Sequence, residues 1–140
     1  MNTKQYLRQG YKLNMRIQDK QERLAQFKEL ATSIGAMDYS KDRVQGGSNT
    51  EAHFESQVIK AVDLEQEIAE DIKRLCELQI EISNTIDAVE DVNCSLVLSK
   101  RYLLMKDWDS IAEEMAYSKK HIHRLHKKGL ELIKIPNDDT

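Results

Sequence analysis

Between Thr3 and Ile34 the positions Tyr6, Gly10, Leu13, Ile17, Lys20, Leu24, Phe27, Ala31 and Ile34 recur at alternating intervals of three and four residues. Seven of these nine are apolar. That spacing lays them along one narrow stripe of an α-helix, the seam of a coiled coil rather than a broad globular face. Gly10 and Lys20 interrupt the seam, and the residues between are mostly Gln, Arg, Lys, Asp and Glu, as on a solvated face. A second seam runs through Phe54, Val58, Ala61, Glu65, Ile68, Ile72, Leu75, Gln79, Ile82, Ile86 and Val89, with nine of eleven positions apolar. It predicts one long helix, capped by Ser48, Asn49 or Thr50. The intervening residues 35–50 hold three of the five glycines and several turn formers, so a loop is expected there. Two seamed helices joined by one loop fold back antiparallel. Residues 1–90 are therefore expected to form a helical hairpin. Val62, Leu64, Cys76 and Leu78 widen the second seam, and a second copy of the chain is expected to cover them as a homodimer.

The pattern changes after the polar break Glu90-Asp91-Val92-Asn93. CSLVLSKRYLLM, residues 94–105, reads as a short amphipathic helix. Asp107 is placed to N-cap WDSIAEEM, residues 108–115, and Ser118 to N-cap a further helix over 119–134, which Pro136 ends. Ile111, Ala112 and Met115 share one face of the first of these helices. Ile122, Leu125, Leu130 and Ile133 can pack inward from the second, and Tyr117 is expected to plug the turn. Two helices joined by a short turn, the second strongly basic, make a helix-turn-helix pattern over residues 91–135. The expected fold is thus all-α, a long coiled-coil-like hairpin followed by a helix-turn-helix, with an acidic tail at 136–140.

Composition narrows the class. At 140 residues the chain holds one domain or two very small ones, and one Pro with five Gly argues against loop-rich or all-β folds. No apolar run approaches the roughly 20 residues of a membrane span. The start, MNTKQYLRQGYK, lacks the apolar segment of a signal peptide. Two cysteines, Cys76 and Cys94, fit a reducing compartment, so a cytoplasmic protein with no membrane partner is expected. Charge is segregated. Residues 1–94 carry 12 Lys+Arg against 17 Asp+Glu, net −5; residues 95–135 carry 9 against 5, net +4; the last five add −2.

The basic excess concentrates on one helix. Lys119, Lys120, His121, His123, Arg124, Lys127 and Lys128 face a single acid, Glu131. A recognition helix reads base edges with its N-terminal residues and phosphates with its flanks. Arg124 can pair bidentately with guanine, and Lys119 or Lys120 can do so less rigidly. Ser118 and the helix N-terminus suit a phosphate oxygen.

The segments LVLSKRY, WDSIAEEM and YSKKHIHRLHKKGL resemble region 4 of sigma-70 factors, and the whole chain resembles small phage-encoded transcription regulators akin to the ArpU and RinA groups, with their N-terminal coiled-coil region and a loop here formed by Asp42-Arg43-Val44-Gln45-Gly46-Gly47-Ser48. The resemblance implies a sequence-specific regulator of phage or prophage genes that binds double-stranded DNA at the nucleoid, with host RNA polymerase as a further expected partner. In region 4 the early recognition-helix positions meet the −35 element, and these correspond to Lys119, Lys120, His123 and Arg124. The chain departs from that pattern at Lys120, where an acid is common, so promoter preference does not carry over. It also lacks anything like sigma region 2, which points to an activator or auxiliary rather than a complete sigma factor. A phage packaging subunit resembling small terminases, or an RNA polymerase adaptor, are the alternatives.

Other chemistry finds little footing. His121 and His123 point roughly 200° apart on a helix, and with His126 they lack a carboxylate or thiolate to complete a metal site. Titratable phosphate contacts are expected of them instead, tightening DNA binding as pH falls through about 6.5. The Gly-rich loop has neither a preceding strand nor the Lys of a phosphate-binding loop. The acids Asp63, Glu65, Glu67, Glu70 and Asp71 read as a solvated helix face. No catalytic constellation is spaced in the chain, so neither enzymatic activity nor a cofactor is expected.

Overall fold

The computed structural model describes residues 1–40 and 47–136, with side chains over 1–33 and 51–136. The described residues are all-α, with no strand among them. Helix α1 spans Thr3–Ser40 and α2 spans Gly47–Asp87. Short helices follow: α3, Val92–Leu98; a π-helical turn, Ser99–Leu103; α4, Trp108–Met115; and α5, Lys119–Leu132. The helices reach further into 35–50 than the turn-forming residues there suggest. The expected Asp42–Ser48 loop and the Ser48, Asn49 or Thr50 cap lie outside the described residues or side chains, as does the tail beyond Pro136.

Contacts group the chain into two compact units. One holds Met1–Asn14 and Arg74–Thr140, the other Met15–Lys73. The boundary expected near residue 90 falls inside the first.

In the Met15–Lys73 unit α1 behaves as its periodicity predicts: Ile17 and Lys20 are buried, and Leu24, Phe27 and Ala31 are half-buried. On α2 the seam differs from expectation by one residue in every second position. Ala61, Leu64, Ile68 and Asp71 are buried, while Glu65 and Ile72 are exposed. Counting apolar residues favours Ile72 over Asp71, but Lys20 decides the matter. Its Nζ donates to Asp71 Oδ2 at 2.7 Å and lies 3.5 Å from Glu67 Oε1. A buried ammonium must meet a carboxylate, so α2 turns Asp71 inward there while Glu67 reaches in from the surface. Asp71, expected on a solvated face, is buried, with the Arg16 guanidinium 3.7 Å from the same oxygen. Lys28 and Glu65 pair at 2.9 Å on the surface.

The first unit holds a continuous core. Tyr6 and Leu7 of α1, Ile82 and Ile86 of α2, Val89, and Cys94, Val97 and Leu98 of α3 pack with Tyr102, Ile111, Ala112, Ile122, Leu125 and Ile133. Tyr6 also meets Glu81 and Thr85 of α2 through its hydroxyl, at 3.2 Å each. Asp91 caps α3 by accepting from the Cys94 N–H at 3.1 Å. The expected single helix over 94–105 is instead α3 running into the π turn, where the Leu104 N–H reaches back to the Ser99 carbonyl at 3.0 Å. Met105 then takes a positive φ of 56° and redirects the chain. Gly129 of α5 sits where a Cβ would lie 3.0 Å from Leu98 Cδ1, so the α3–α5 crossing is close enough to exclude a larger side chain.

Candidate nucleic-acid interface

Two short, well-capped helices carry the basic face. Asp107, in extended conformation, accepts from the Ser110 N–H at 2.8 Å and starts α4. That N–H is the main reason its carboxyl is held below the usual carboxylate range. α4 ends at Ala116, which adopts the left-handed conformation (φ 56°, ψ 40°). The Tyr117 N–H closes the turn onto the Ala112 carbonyl at 3.1 Å. Ser118 returns to extended backbone, and its Oγ accepts from the His121 N–H at 3.1 Å, starting α5. Residues 116–118 thus join the two helices, with Asp107 and Ser118 in the capping roles their sequence predicts. α5 closes at Leu132, two residues before the expected end, and Ile133 is extended.

The inward faces match the expected pattern. Ile111 and Ala112 of α4 and Ile122 and Leu125 of α5 are buried, while Met115 and Leu130 pack half-buried against them. Tyr117 does not plug the turn. It is 38% exposed, and its ring stands edge-on to His121 at 4.6 Å. Its hydroxyl accepts from Asn93 Nδ2 at 3.4 Å, so the ring is held at the surface between Asn93 and His121.

On the outward face Ser118, Lys119, Lys120, His123, Arg124, Lys127 and Lys128 are exposed, and His121 is half-buried against Tyr117. Two of the cations have acidic neighbours. Lys119 pairs with Asp109 at 3.0 Å, and Lys128 with Asp91 at 3.2 Å. The Asp91 carboxyl is lowered first by the Cys94 N–H and then by Lys128. Both ion pairs lie at the surface and resist displacement weakly. Among the described residues no carboxylate stands within ion-pair distance of Lys120, Arg124 or Lys127. These three are the cations most ready for an incoming anion.

His126 corrects the sequence-based expectation of a phosphate contact. It is buried, and its Nε2 lies 2.7 Å from the Tyr102 hydroxyl. Burial, then the charges of Lys4, His123 and Arg101, pushes its pKa down to about 4. A basic face at solvent-facing positions and a neutral imidazole at an inward one follow from helix phase: His126 sits four residues after Ile122 and one after Leu125, on the buried side.

A cation–aromatic stack beside α5 escaped the sequence reading. The Arg101 guanidinium carbon lies 4.5 Å from the centre of the Trp108 ring, and Trp108 in turn meets His123 at 4.6 Å and His126 at 4.8 Å. Arg101 also donates to the Lys106 carbonyl at 3.0 Å. This stack fixes one side of His123 and ties the start of α4 to the middle of α5. The lone Trp at the first position of α4 is the signal that marks it.

Fold and site together define an all-helical protein whose C-terminal helix exposes a concentrated basic face. The model of the family described as "Protein of unknown function (DUF1492)" matches residues 33–133, and the chain belongs to that family. No curated protein and no solved structure matches the chain. Among the described residues no helix is long and apolar enough to cross a membrane, and no group of His, Cys, Asp or Glu is arranged to hold a metal ion.

Proposed function

We propose that this chain is a sequence-reading, double-stranded-DNA-binding regulator of phage or prophage transcription, acting in the cytoplasm of the bacterial host. In this reading α4 and α5 form a sigma-70 region 4-like helix-turn-helix, with α5 as the recognition helix. The observation that carries it is the outward face of α5, on which Lys120, Arg124 and Lys127 are exposed without a carboxylate partner among the described residues. Ser118 uses its oxygen lone pair to cap α5, which leaves its hydroxyl proton to donate to a phosphate. Lys119 and Lys128 exchange a surface carboxylate for a phosphate at little cost. Arg124, one turn into α5, suits a guanine edge.

The order of α1–α2 contacts supports the antiparallel hairpin: in the Met15–Lys73 unit Lys28 meets Glu65 while Lys20 meets Asp71. The net −5 of residues 1–94 would keep that region away from DNA. A dimer would present two reading heads, summing base contacts and counterion release.

Titration of a fluorescent mixed-sequence duplex, followed by anisotropy at several salt concentrations, tests the DNA reading. Binding that weakens linearly with log salt is expected, and removing Lys120 and Lys127 together should lower the slope by about 2. Absence of binding at low salt, or a slope unchanged by the double substitution, would contradict it.

A further inference from the structure

We infer that the first turns of α1 extend the DNA-binding surface: Lys4, Arg8 and Lys12 hold the phosphate backbone of the duplex that α5 reads. The inference rests on the DNA reading proposed above and adds to it a row outside the helix-turn-helix. The acidic average of residues 1–94 conceals this row. Residues 1–18 carry Lys4, Arg8, Lys12 and Arg16 with no Asp or Glu, which leaves 8 Lys+Arg against 17 Asp+Glu for residues 19–94. Repulsion from DNA therefore belongs to the later stretch. A spacing of four puts Lys4, Arg8 and Lys12 along one side of α1. All three are exposed, and among the described residues no carboxylate lies within ion-pair distance of them. Arg16, by contrast, lies 3.7 Å from Asp71.

The fold sets the row beside α5. Tyr6 and Leu7 are buried in the core that also holds Tyr102, Ile122 and Leu125. Asn14, two turns after Leu7 on the same face, donates to Met105 Sδ at 3.4 Å. That edge of α1 faces the chain between α3 and α4, and Lys4 and Arg8 lie next to it around the helix. Their charges reach the Tyr102–His126 pair, joined at 2.7 Å. After burial, Lys4 is the largest influence holding His126 neutral, and burial of the Tyr102 phenol is opposed by Arg101 and Arg8. Arg101 stacks on Trp108 at 4.5 Å, and Trp108 meets His123 at 4.6 Å. Basic side chains thus run from Lys127 and His123 of α5, over Arg101, to Lys4 and Arg8 of α1. The shallow groove along the row is lined by Met1, Gln5, Arg8, Gln9 and Lys12. Four of these five are polar, which suits phosphate oxygens; a docked protein would want an apolar centre.

Anisotropy titration of a mixed-sequence duplex at several salt concentrations tests the row on the full chain. Lys4→Gln, Arg8→Gln and Lys12→Gln together should lower the salt slope by about 3 at unchanged far-ultraviolet helicity. Lys60→Gln with Lys73→Gln, which removes exposed cations from the acidic stretch, should leave the slope as it was. Arg8→Cys in a Cys76→Ser background, carrying a maleimide-linked benzophenone, should photocross-link to the duplex, and Lys60→Cys labelled in the same way should not. A wild-type chain that binds no duplex would overturn the DNA reading and the row with it. A slope that falls on loss of Lys120 and Lys127 but not on loss of the row would overturn the row alone and leave it to an acidic protein partner. An equal fall per charge in the Lys60 and Lys73 variant, or no cross-link from position 8, would also overturn it.

Discussion

His126 and Gly129 set the terms on which α5 is held. Both lie on its inward side, where periodicity alone predicts apolar residues. The depressed pKa of His126, about 4, means that the folded chain keeps it neutral while the unfolded chain protonates it near 6.5. The unfolded state then binds more protons between those values, so stability is full above about pH 6.5 and falls as pH drops toward 4. Between pH 7 and pH 5 the loss from this group alone is about 2 kcal/mol. Denaturant unfolding at the two pH values should show it, and His126→Gln should remove most of it; equal pH dependence in both proteins would contradict the assignment. The capping carboxylates of Asp91 and Asp107, which are also lowered, act in a more acidic window. Gly129 gives a second test. Valine there would drive two methyl groups into Leu98 and Cys94, and a loss of about 1–3 kcal/mol is expected. A melting temperature at or above wild type would show that α3 yields. The sequence announces neither role, because a His among basic residues looks solvated until helix phase is fixed, and a mid-helix Gly shows its neighbour only in three dimensions.

The elements were more legible than their pairing. Alternating three–four spacing marks α1 and α2, and the Asp107 and Ser118 caps mark the starts of α4 and α5, because both signals are local. The buried row of α2 is only half legible, since Ile72 is apolar but exposed and Asp71 is charged but buried. Only Lys20, 51 residues away in sequence, makes the acid the better choice. Burying an ion pair contributes little stability, but a lone buried partner is costly. Lys20→Met is therefore expected to destabilise the chain by about 2–3 kcal/mol, with Arg16 softening the loss. Combining it with Asp71→Leu should bring stability back to within about 1 kcal/mol of wild type. A double variant as unstable as the single one, measured by chemical denaturation, would show that the pair does more than satisfy itself. That outcome would make the pair a register key, a polar layer that fixes how α1 and α2 align.

For the molecule as a whole, segregated charge is the organising property. An acidic stretch carries the long helices, and a basic one ends in α5. That division was visible in the sequence, as was the outward basic face, because charge needs no tertiary information to count. The Arg101–Trp108–His123 stack and the neutralisation of Lys119 and Lys128 by Asp109 and Asp91 were not visible, since they join residues from different elements. If α5 reads base edges, Arg124 specifies and its neighbours anchor. Arg124→Ala should then lose site preference while keeping salt-dependent binding to any duplex. The most direct measurement is the genome-wide profile of DNA that copurifies with the tagged chain in its host, beside the Arg124→Ala variant. The account predicts enrichment at a small number of discrete sites that the substitution abolishes. Uniform DNA without discrete sites, or sites that persist in the variant, would contradict it.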